Sequence, residues 1–170
     1  MIYPIFTLSG EGIPFYASSH CFQSLEAIPQ GTFVRQLDGQ LAFLSTIKDH
    51  KYKSIIRSTD QNTPAFGNIS SGKELKIQCI QPLYQEMITE RLFLSRPTNH
   101  DLLSGLDSQG DPVPLQLEDS QWVTRARTEA LEPIFIRYFP ILRMLVHSFT
   151  LEGESRHSNT IQWSLTLEER

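Results

Sequence analysis

The sequence of 170 residues is poor in cysteine, and Cys21 and Cys79 are the only two. Two cysteines cannot supply the disulfide framework of a small secreted domain, and the absence of a Cys-x-x-Cys pair removes support for a zinc site. We expect both thiols to be reduced and buried in a protein that folds in a reducing cytosol. A single disulfide between the two residues is the alternative.

Long apolar runs are also missing. No stretch approaches the roughly 20 apolar residues that span a bilayer as a helix, so we expect no membrane partner. The first eight residues lack a basic segment and contain Pro4, which argues against a secretory signal peptide. The apolar share of 39% is typical of a globular protein, and residues 1–170 are expected to form a single β-rich domain.

Motifs that carry catalysis or phosphate binding are absent. The sequence contains no complete His-Glu-x-x-His, Gly-x-Ser-x-Gly, Walker A or Gly-x-Gly-x-x-Gly pattern. Its five histidines are scattered, and no two have the spacing of zinc ligands on a helix. We therefore predict that the protein is not an enzyme, and we assign no catalytic, cofactor-binding or metal-binding residue.

Two histidines are candidates for a catalytic role. His20 precedes Cys21 directly, and neighbouring residues on a strand point to opposite faces, which argues against a Cys–His dyad. His147 lies in a predicted strand over residues 143–151 and is expected to share a face with Leu145 and Phe149. A hydrogen-bonded histidine in the core or in an interface is favoured over a catalytic base.

Two acidic pairs are further candidates for a functional site. Glu152 and Glu154 flank a glycine, and Asp107 and Asp111 lie in a Gly- and Ser-containing stretch without the oxygen-rich continuation of a calcium loop. Turn formation explains the second pair better, because Asp, Ser and Gly favour tight turns.

Basic residues concentrate in one short segment. An electrostatic role toward nucleic acid or an acidic partner is one interpretation. The solvated end of a hairpin is favoured, because acidic residues lie nearby and a net charge of −4 is opposite to that of a general nucleic-acid binder. The segment contains Lys48, His50, Lys51, Tyr52, Lys53 and Arg57.

The last ten residues carry the clearest structural signal. Apolar residues alternate with polar ones from Ile161 to Glu168, which is typical of a strand with one buried face. The dense apolar content of residues 143–151 predicts a preceding strand, with a polar turn over residues 152–159. Residues 143–168 are therefore expected to form one long antiparallel hairpin.

Further strands are predicted upstream. Asp38-Gly39 lies between apolar runs, so residues 33–44 are expected to form a hairpin with a type I′ turn. Short strands are predicted over residues 53–58 and 73–82, and an edge strand over residues 112–117.

Other segments are predicted to form loops or a helix. Residues 59–72 and 96–114 are rich in Gly, Pro, Ser, Thr, Asn and Asp, which predicts two long loops. Residues 84–94 are compatible with a helix or a strand. Asp119-Ser120 favours a helix cap, so one short α-helix is predicted from Gln121 to about Glu132. The fold class is thus mainly β, with sandwich-like or barrel-like antiparallel sheets and one short α-helix.

The C-terminal pattern resembles that of bacteriophage tail proteins. Residues 144–169 (MLVHSFTLEGESRHSNTIQWSLTLEE) are similar to the last hairpin of tail-tube, tube-initiator and baseplate-hub proteins, and the hairpin over residues 33–44 fits the same all-β pattern. The similarity covers about a third of the chain.

This resemblance implies a tail-tube-like fold and a structural role in the virion, in the baseplate hub or in the ring that initiates the tail tube. Copies of the chain would join their strands into a ring, assembled in the host cytoplasm, and contact neighbouring tail-tube and hub proteins through the two long loops. Passing contact with DNA in the channel is also implied. Such proteins use no cofactor.

Two other classes of function compete with this one. A small β-rich hydrolase would need a convergent pocket of titrating groups, for instance around His147, Glu152 and Glu154. A ligand-binding β-barrel module would need exposed aromatic residues or a basic groove. Trp122 and Trp163 are the aromatic candidates, although Trp163 alternates with core-type residues and is expected inside.

Overall fold

The computed structural model describes residues 7–8, 21–29, 31–45, 50–60, 67, 69–125, 132–152 and 161–170. All regular structure in these ranges is antiparallel β-strand. The strands are β1 (Thr7–Leu8), β2 (Phe22–Ile28), β3 (Gly31–Arg35), β4 (Leu41–Ser45), β5 (Lys51–Asp60), β6 (Glu74–Gln78), β7 (Leu83–Met87), β8 (Arg91–Phe93), β9 (Thr98–Leu106), β10 (Pro112–Val113), β11 (Leu115–Glu118), β12 (Trp122–Arg125), β13 (Ile134–Glu152) and β14 (Ile161–Glu169).

Six strands form a main sheet in the order β1-β6-β13-β14-β5-β2. Alternate residues of these strands face a common apolar core, as the two-residue period of a strand requires. The predicted closing strand is confirmed as β14, which pairs with β13 over residues 144–152 and 162–169, and Trp163 faces the core. Buried members of this first core include Ile56, Ile77, Met144 and Leu165.

A buried glutamine joins opposite parts of the main sheet. Gln23 on β2 donates from Nε2 to Ser54 Oγ at 2.9 Å. Its Oε1 accepts the backbone N–H groups of Ile80 at 2.7 Å and Gln81 at 3.1 Å. Because residues 80–81 follow β6, near the other margin of the strand order, the sheet must curl until its two margins approach each other.

A second core lies beside the first. The N-terminal half of β13 pairs with β7 on one side and with β9 on the other, and β10 pairs with β9. A separate sheet in the order β11-β12-β8 packs across these strands. The buried residues between the two sheets are Met87, Leu94, Val123, Ile134, Ile136 and Tyr138.

The two cores share β13, which changes partners at Pro140. Its ladder with β9 shifts register between Tyr138 and Pro140, and its ladder with β6 begins at Ile141. Proline has no N–H to donate, so this residue suits the point where one set of pairings ends. The Pro140 carbonyl is still used, because it accepts the N–H of Cys79 at 2.9 Å.

The predicted helix over residues 121–132 is wrong where the structure describes it. Trp122–Arg125 form β12, which pairs with β11 and β8. Val123 and Arg125 are buried while Trp122 and Thr124 are half-exposed, which is the alternation of a strand. Helix propensity in this segment is thus overridden by cross-strand packing. Residues 126–131 lie outside the described ranges.

The predicted loop over residues 96–114 is also wrong in its larger part, because it contains β9 and β10. The segment predicted as an edge strand over residues 112–117 corresponds to β10 and β11. The ambiguity over residues 84–94 resolves in favour of strands, β7 and β8.

The other predicted loop, over residues 59–72, begins later than expected, since Thr59 and Asp60 still belong to β5. Residues 69–72 are not strand, and residues 61–66 and 68 lie outside the described ranges. In the part of the chain that is described, no helix has the length and apolar character needed to cross a membrane.

Candidate assembly surface

The predicted hairpin is confirmed as β3 and β4, which pair from Gly31↔Ser45 to Arg35↔Leu41. We call residues 31–45 the arm. Its turn is not the predicted type I′. Gly39 N–H bonds the Gln36 carbonyl at 2.9 Å and Gln36 N–H bonds the Gln40 carbonyl at 2.8 Å, and Gly39 has φ of 87° while Asp38 does not have positive φ. This is a three-residue loop with a left-handed glycine.

The arm exposes apolar side chains on both of its faces. Phe33 is 66% exposed, its neighbour Val34 on the opposite face is also exposed, and Leu37 at the tip is fully exposed. The rings of Phe33 and Phe43 lie 4.8 Å apart and cover part of each other. A two-stranded ribbon is marginally stable alone and soluble chains seldom expose contiguous apolar area, so this surface is suited to burial against another chain.

The arm is an insertion between two strands that are already neighbours. Ile28 at the end of β2 is the register partner of Lys51 at the start of β5. The body of the sheet therefore does not need the arm to bring these strands together. Close packing within the arm explains Gly31, where a Cβ atom would overlap the carbonyl oxygen of Leu44.

A sheet margin lies next to the arm. β2 is the last strand in the order of the main sheet, and no described strand pairs with its outer side. Unpaired N–H and C=O groups on such a margin are a template for another strand.

A smaller apolar patch lies on the outer face of the second core. Tyr84, Leu106 and Phe135 are exposed there. Leu106 and Phe135 are register partners across β9 and β13, and Tyr84 is opposite Arg137. The guanidinium of Arg137 lies 5.1 Å from the centre of the Phe139 ring.

The basic segment of β5 does not form one patch. Tyr52 packs against the first core, whereas Lys51 and Lys53 point to the other face. Lys53 lies between Glu26 on β2 and Glu168 on β14 in the register, and Lys51 Nζ contacts the carbonyl oxygen of Arg170. These acidic neighbours support the interpretation as a solvated strand surface. Lys48 lies outside the described ranges.

The histidine and cysteine predictions are resolved in part. His147 is exposed at a bulge in β13, where register shifts between Val146 and Ser148, so a place in the core is wrong for it. Cys79 is buried as predicted, whereas Cys21 is only half-buried, and the two are not joined by a disulfide. His20 lies outside the described ranges.

The structure tests one of the two acidic pairs fully and the other in part. Asp107 Oδ1 accepts the backbone N–H of Gln109 at 2.9 Å and that of Asp111 at 2.8 Å, which is the turn chemistry predicted. Glu152 ends β13, and Glu154 lies outside the described ranges. Among the described residues, no group of three or more His, Cys, Asp or Glu side chains is arranged to hold a metal ion.

The sequence also contains the glycine spacing of a phosphate loop, which sequence analysis missed. Gly67 and Gly72-Lys73 have the spacing of a phosphate loop, although Glu74 replaces the expected Ser or Thr. In the structure Gly72 N–H donates to the Val146 carbonyl at 2.7 Å, and Lys73 leads into strand β6 rather than a helix. Gly72 and Lys73 therefore pair with the backbone of β13 instead of opening a helix, as a phosphate loop would.

No protein-family model matches the chain, and no curated protein matches it significantly.

Proposed function

We propose that this chain is a structural subunit of a bacteriophage tail, located in the baseplate hub or in the ring that initiates the tail tube. Copies of the chain join side by side through sheet margins and arms, and the ring contacts adjacent tail-tube and hub proteins. The observation that carries the proposal is the arm, whose two apolar faces lie outside both cores.

The fold supports this role in three respects. It is mainly antiparallel β, it has a sheet margin at β2 whose outer side no described strand covers, and it carries an apolar patch on the second core. In a closed ring each margin is consumed by the next copy, which removes the aggregation hazard of an open edge. The packed sheets of the second core would give a β-sandwich beside a curled, tail-tube-like main sheet.

Charge fits the same role. A net charge of −4 favours a channel along which DNA passes without being held, because a basic lining would retain it. The role also needs no cofactor, and it places the protein in the virion after assembly in the host cytoplasm.

The test is oligomer formation with an arm variant. Wild-type chain is examined by light scattering and negative-stain electron microscopy, alone and mixed with purified tail-tube and hub proteins. We expect rings, and we expect Phe33→Ser with Phe43→Ser to weaken association by about 2–4 kcal/mol through lost apolar burial. Ile88→Ser is the control, because Ile88 is an apolar residue outside the arm that is about as exposed as Phe33.

A second design removes the arm. Because Ile28 and Lys51 are register partners, an Asn-Gly turn between residues 29 and 50 can reconnect β2 to β5. The shortened chain should fold and remain monomeric. A wild-type chain that stays monomeric under every condition, including with its tail partners, would refute the proposal.

A further inference from the structure

A cavity of about 750 Å³ opens at the end of the main sheet, away from the arm. This volume lies within the range typical of small-molecule sites. Residues of β2, β5, β13 and β14 line it together. They are Phe22, Arg57, Ser58, Thr59, Thr150, Gln162, Trp163 and Ser164.

Register explains how these residues meet. Phe22 is the partner of Arg57, Arg57 is the partner of Ser164, and Ser164 is the partner of Thr150. Partners across a ladder point to the same face, so the four side chains form one row across four strands, spaced about 5 Å apart. Thr59 and Gln162 are partners in the adjacent row.

The row has a distinct chemical character. It places one aromatic ring, one guanidinium and hydroxyl groups side by side, with a carboxamide next to them. The Phe22 side chain is 69% exposed, because it lines the cavity and does not pack into a core. Among the described side chains, no carboxylate is within 4 Å of the Arg57 guanidinium. The register partners of Arg57 are Phe22 and Ser164, whereas those of Lys53 are Glu26 and Glu168.

We propose that this cavity binds an acidic saccharide. A sugar ring has apolar C–H faces that stack on an aromatic side chain, and its hydroxyl groups exchange hydrogen bonds with Ser, Thr and Gln. Arg57 receives the carboxylate of the sugar, because a guanidinium matches a carboxylate in charge and in donor geometry.

The charges around the cavity favour a negatively charged ligand. Glu26 and Glu168 lie two rows from Arg57 in the register, about 13 Å along the strands, so exposed Arg57 is the nearest described charge to the sugar. An acidic sugar is therefore preferred over a neutral or amino sugar with the same ring. This inference concerns a face other than the arm and does not depend on ring assembly.

The experiment is a calorimetric titration of the full chain with D-galacturonate, D-glucuronate, D-galactose and D-galactosamine. At least one uronate is expected to bind with a dissociation constant on the order of 1 mM, as the size of a monosaccharide allows. Galactose should bind more weakly than galacturonate, and galactosamine most weakly.

Three variants separate the contacts. Arg57→Gln should weaken uronate binding about tenfold and leave galactose binding nearly unchanged. Phe22→Ala should weaken both sugars by about fivefold. Lys53→Gln is the matched control, because Lys53 lies on the same strand and face but outside the lining, and it should change binding less than about twofold. Circular dichroism checks that each variant is folded.

Several results would overturn the inference. The first is that neither galacturonate nor glucuronate binds at about 20 mM. The second is that galactosamine and galacturonate bind equally well. The third is that Arg57→Gln and Lys53→Gln change uronate binding by the same factor. The full-length chain with Phe33→Ser and Phe43→Ser should bind uronates as the wild type does. That result separates failure of this site from failure of the assembly proposal.

Discussion

Arg96 and Glu169 form a bidentate, mostly buried ion pair. Arg96 Nε donates to Glu169 Oε1 at 2.5 Å and Nη2 donates to Oε2 at 3.1 Å, and the two side chains are 14% and 8% exposed. Glu169 also accepts the backbone N–H of Tyr52 at 3.0 Å, and Arg96 donates to the His50 carbonyl at 2.8 Å. Because Arg96 precedes β9 and Glu169 ends β14, the pair ties the second core to the first.

Removing the charge of Glu169 should therefore destabilise the protein. Glu169→Gln removes the carboxylate that accepts two hydrogen bonds from the mostly buried Arg96 guanidinium, which we expect to cost about 2 kcal/mol of unfolding free energy. Urea denaturation measures the change. Glu168→Gln is the control, since Glu168 is exposed, and it should stay within about 0.5 kcal/mol of wild type. Equal stability of the two variants would contradict this role for the pair.

Gln23 is predicted to hold the curled sheet together. Gln23→Leu keeps the size of the side chain but removes an acceptor from two backbone N–H groups and a donor from Ser54. We expect a loss of about 2 kcal/mol, because unsatisfied groups are left in a partly buried place. Chemical denaturation checks the value. Ser24→Ala, at the next position on the opposite face, should be nearly neutral, and a neutral Gln23→Leu would show that the sheet closes without this amide.

The Cys79 thiol should be inert in the folded protein. Burial raises its pKa from 9.0 to about 12. A disulfide reagent at about pH 8 is expected to label Cys21 alone in native protein and both thiols in urea, because the thiolate is the reactive form. In Cys21→Ser the native protein should show no rapid labelling. Rapid labelling of that variant would show that Cys79 is accessible.

The same pKa shift carries a stability prediction. Between about pH 9 and about pH 12 the unfolded chain has lost the Cys79 proton while the folded chain keeps it. The folded state binds more protons in this window, so the unfolding free energy should fall as pH rises through it and be unaffected by this group below pH 9. Cys79→Ser should flatten this part of the pH profile, measured by urea denaturation.

The two tryptophans should differ in solvent access. Trp163 is 2% exposed in the first core, whereas Trp122 is half-buried between the Phe93 ring and the Arg91 guanidinium, which lies 4.3 Å from the centre of its ring. Acrylamide should quench the fluorescence of Trp163→Phe, which retains Trp122, more strongly than that of Trp122→Phe. The reverse order would place Trp163 outside the core.

Local pattern predicted the parts of the fold that local chemistry decides. The period of two over residues 161–168 gave β14 and its buried face, and Asp38-Gly39 gave the arm. The number of residues in the turn was not predictable, because a left-handed glycine serves both a two-residue and a three-residue loop.

Long-range pairing decided the parts that the sequence did not predict. Residues 98–106 have the composition of a loop, yet they form a strand because β13 supplies a ladder for them. His147 continues the outward face of Arg143 and Leu145, and the bulge after Val146 turns only the following Phe149 toward the core, so the expected face shared by His147 and Phe149 does not exist. The cavity row was hidden for the same reason, since Phe22, Arg57, Thr150 and Ser164 are far apart in sequence and meet only through register.

The length of β13 has a mechanical consequence. A single strand of 19 residues runs through both cores and spans about 60 Å. Tension along it loads its hydrogen bonds with β6, β9 and β14 in shear, so many bonds must break together rather than one after another. A displacement imposed at one end of this strand is therefore transmitted to the other core instead of being absorbed between them, which makes the chain a stiff strut between whatever touches its two ends.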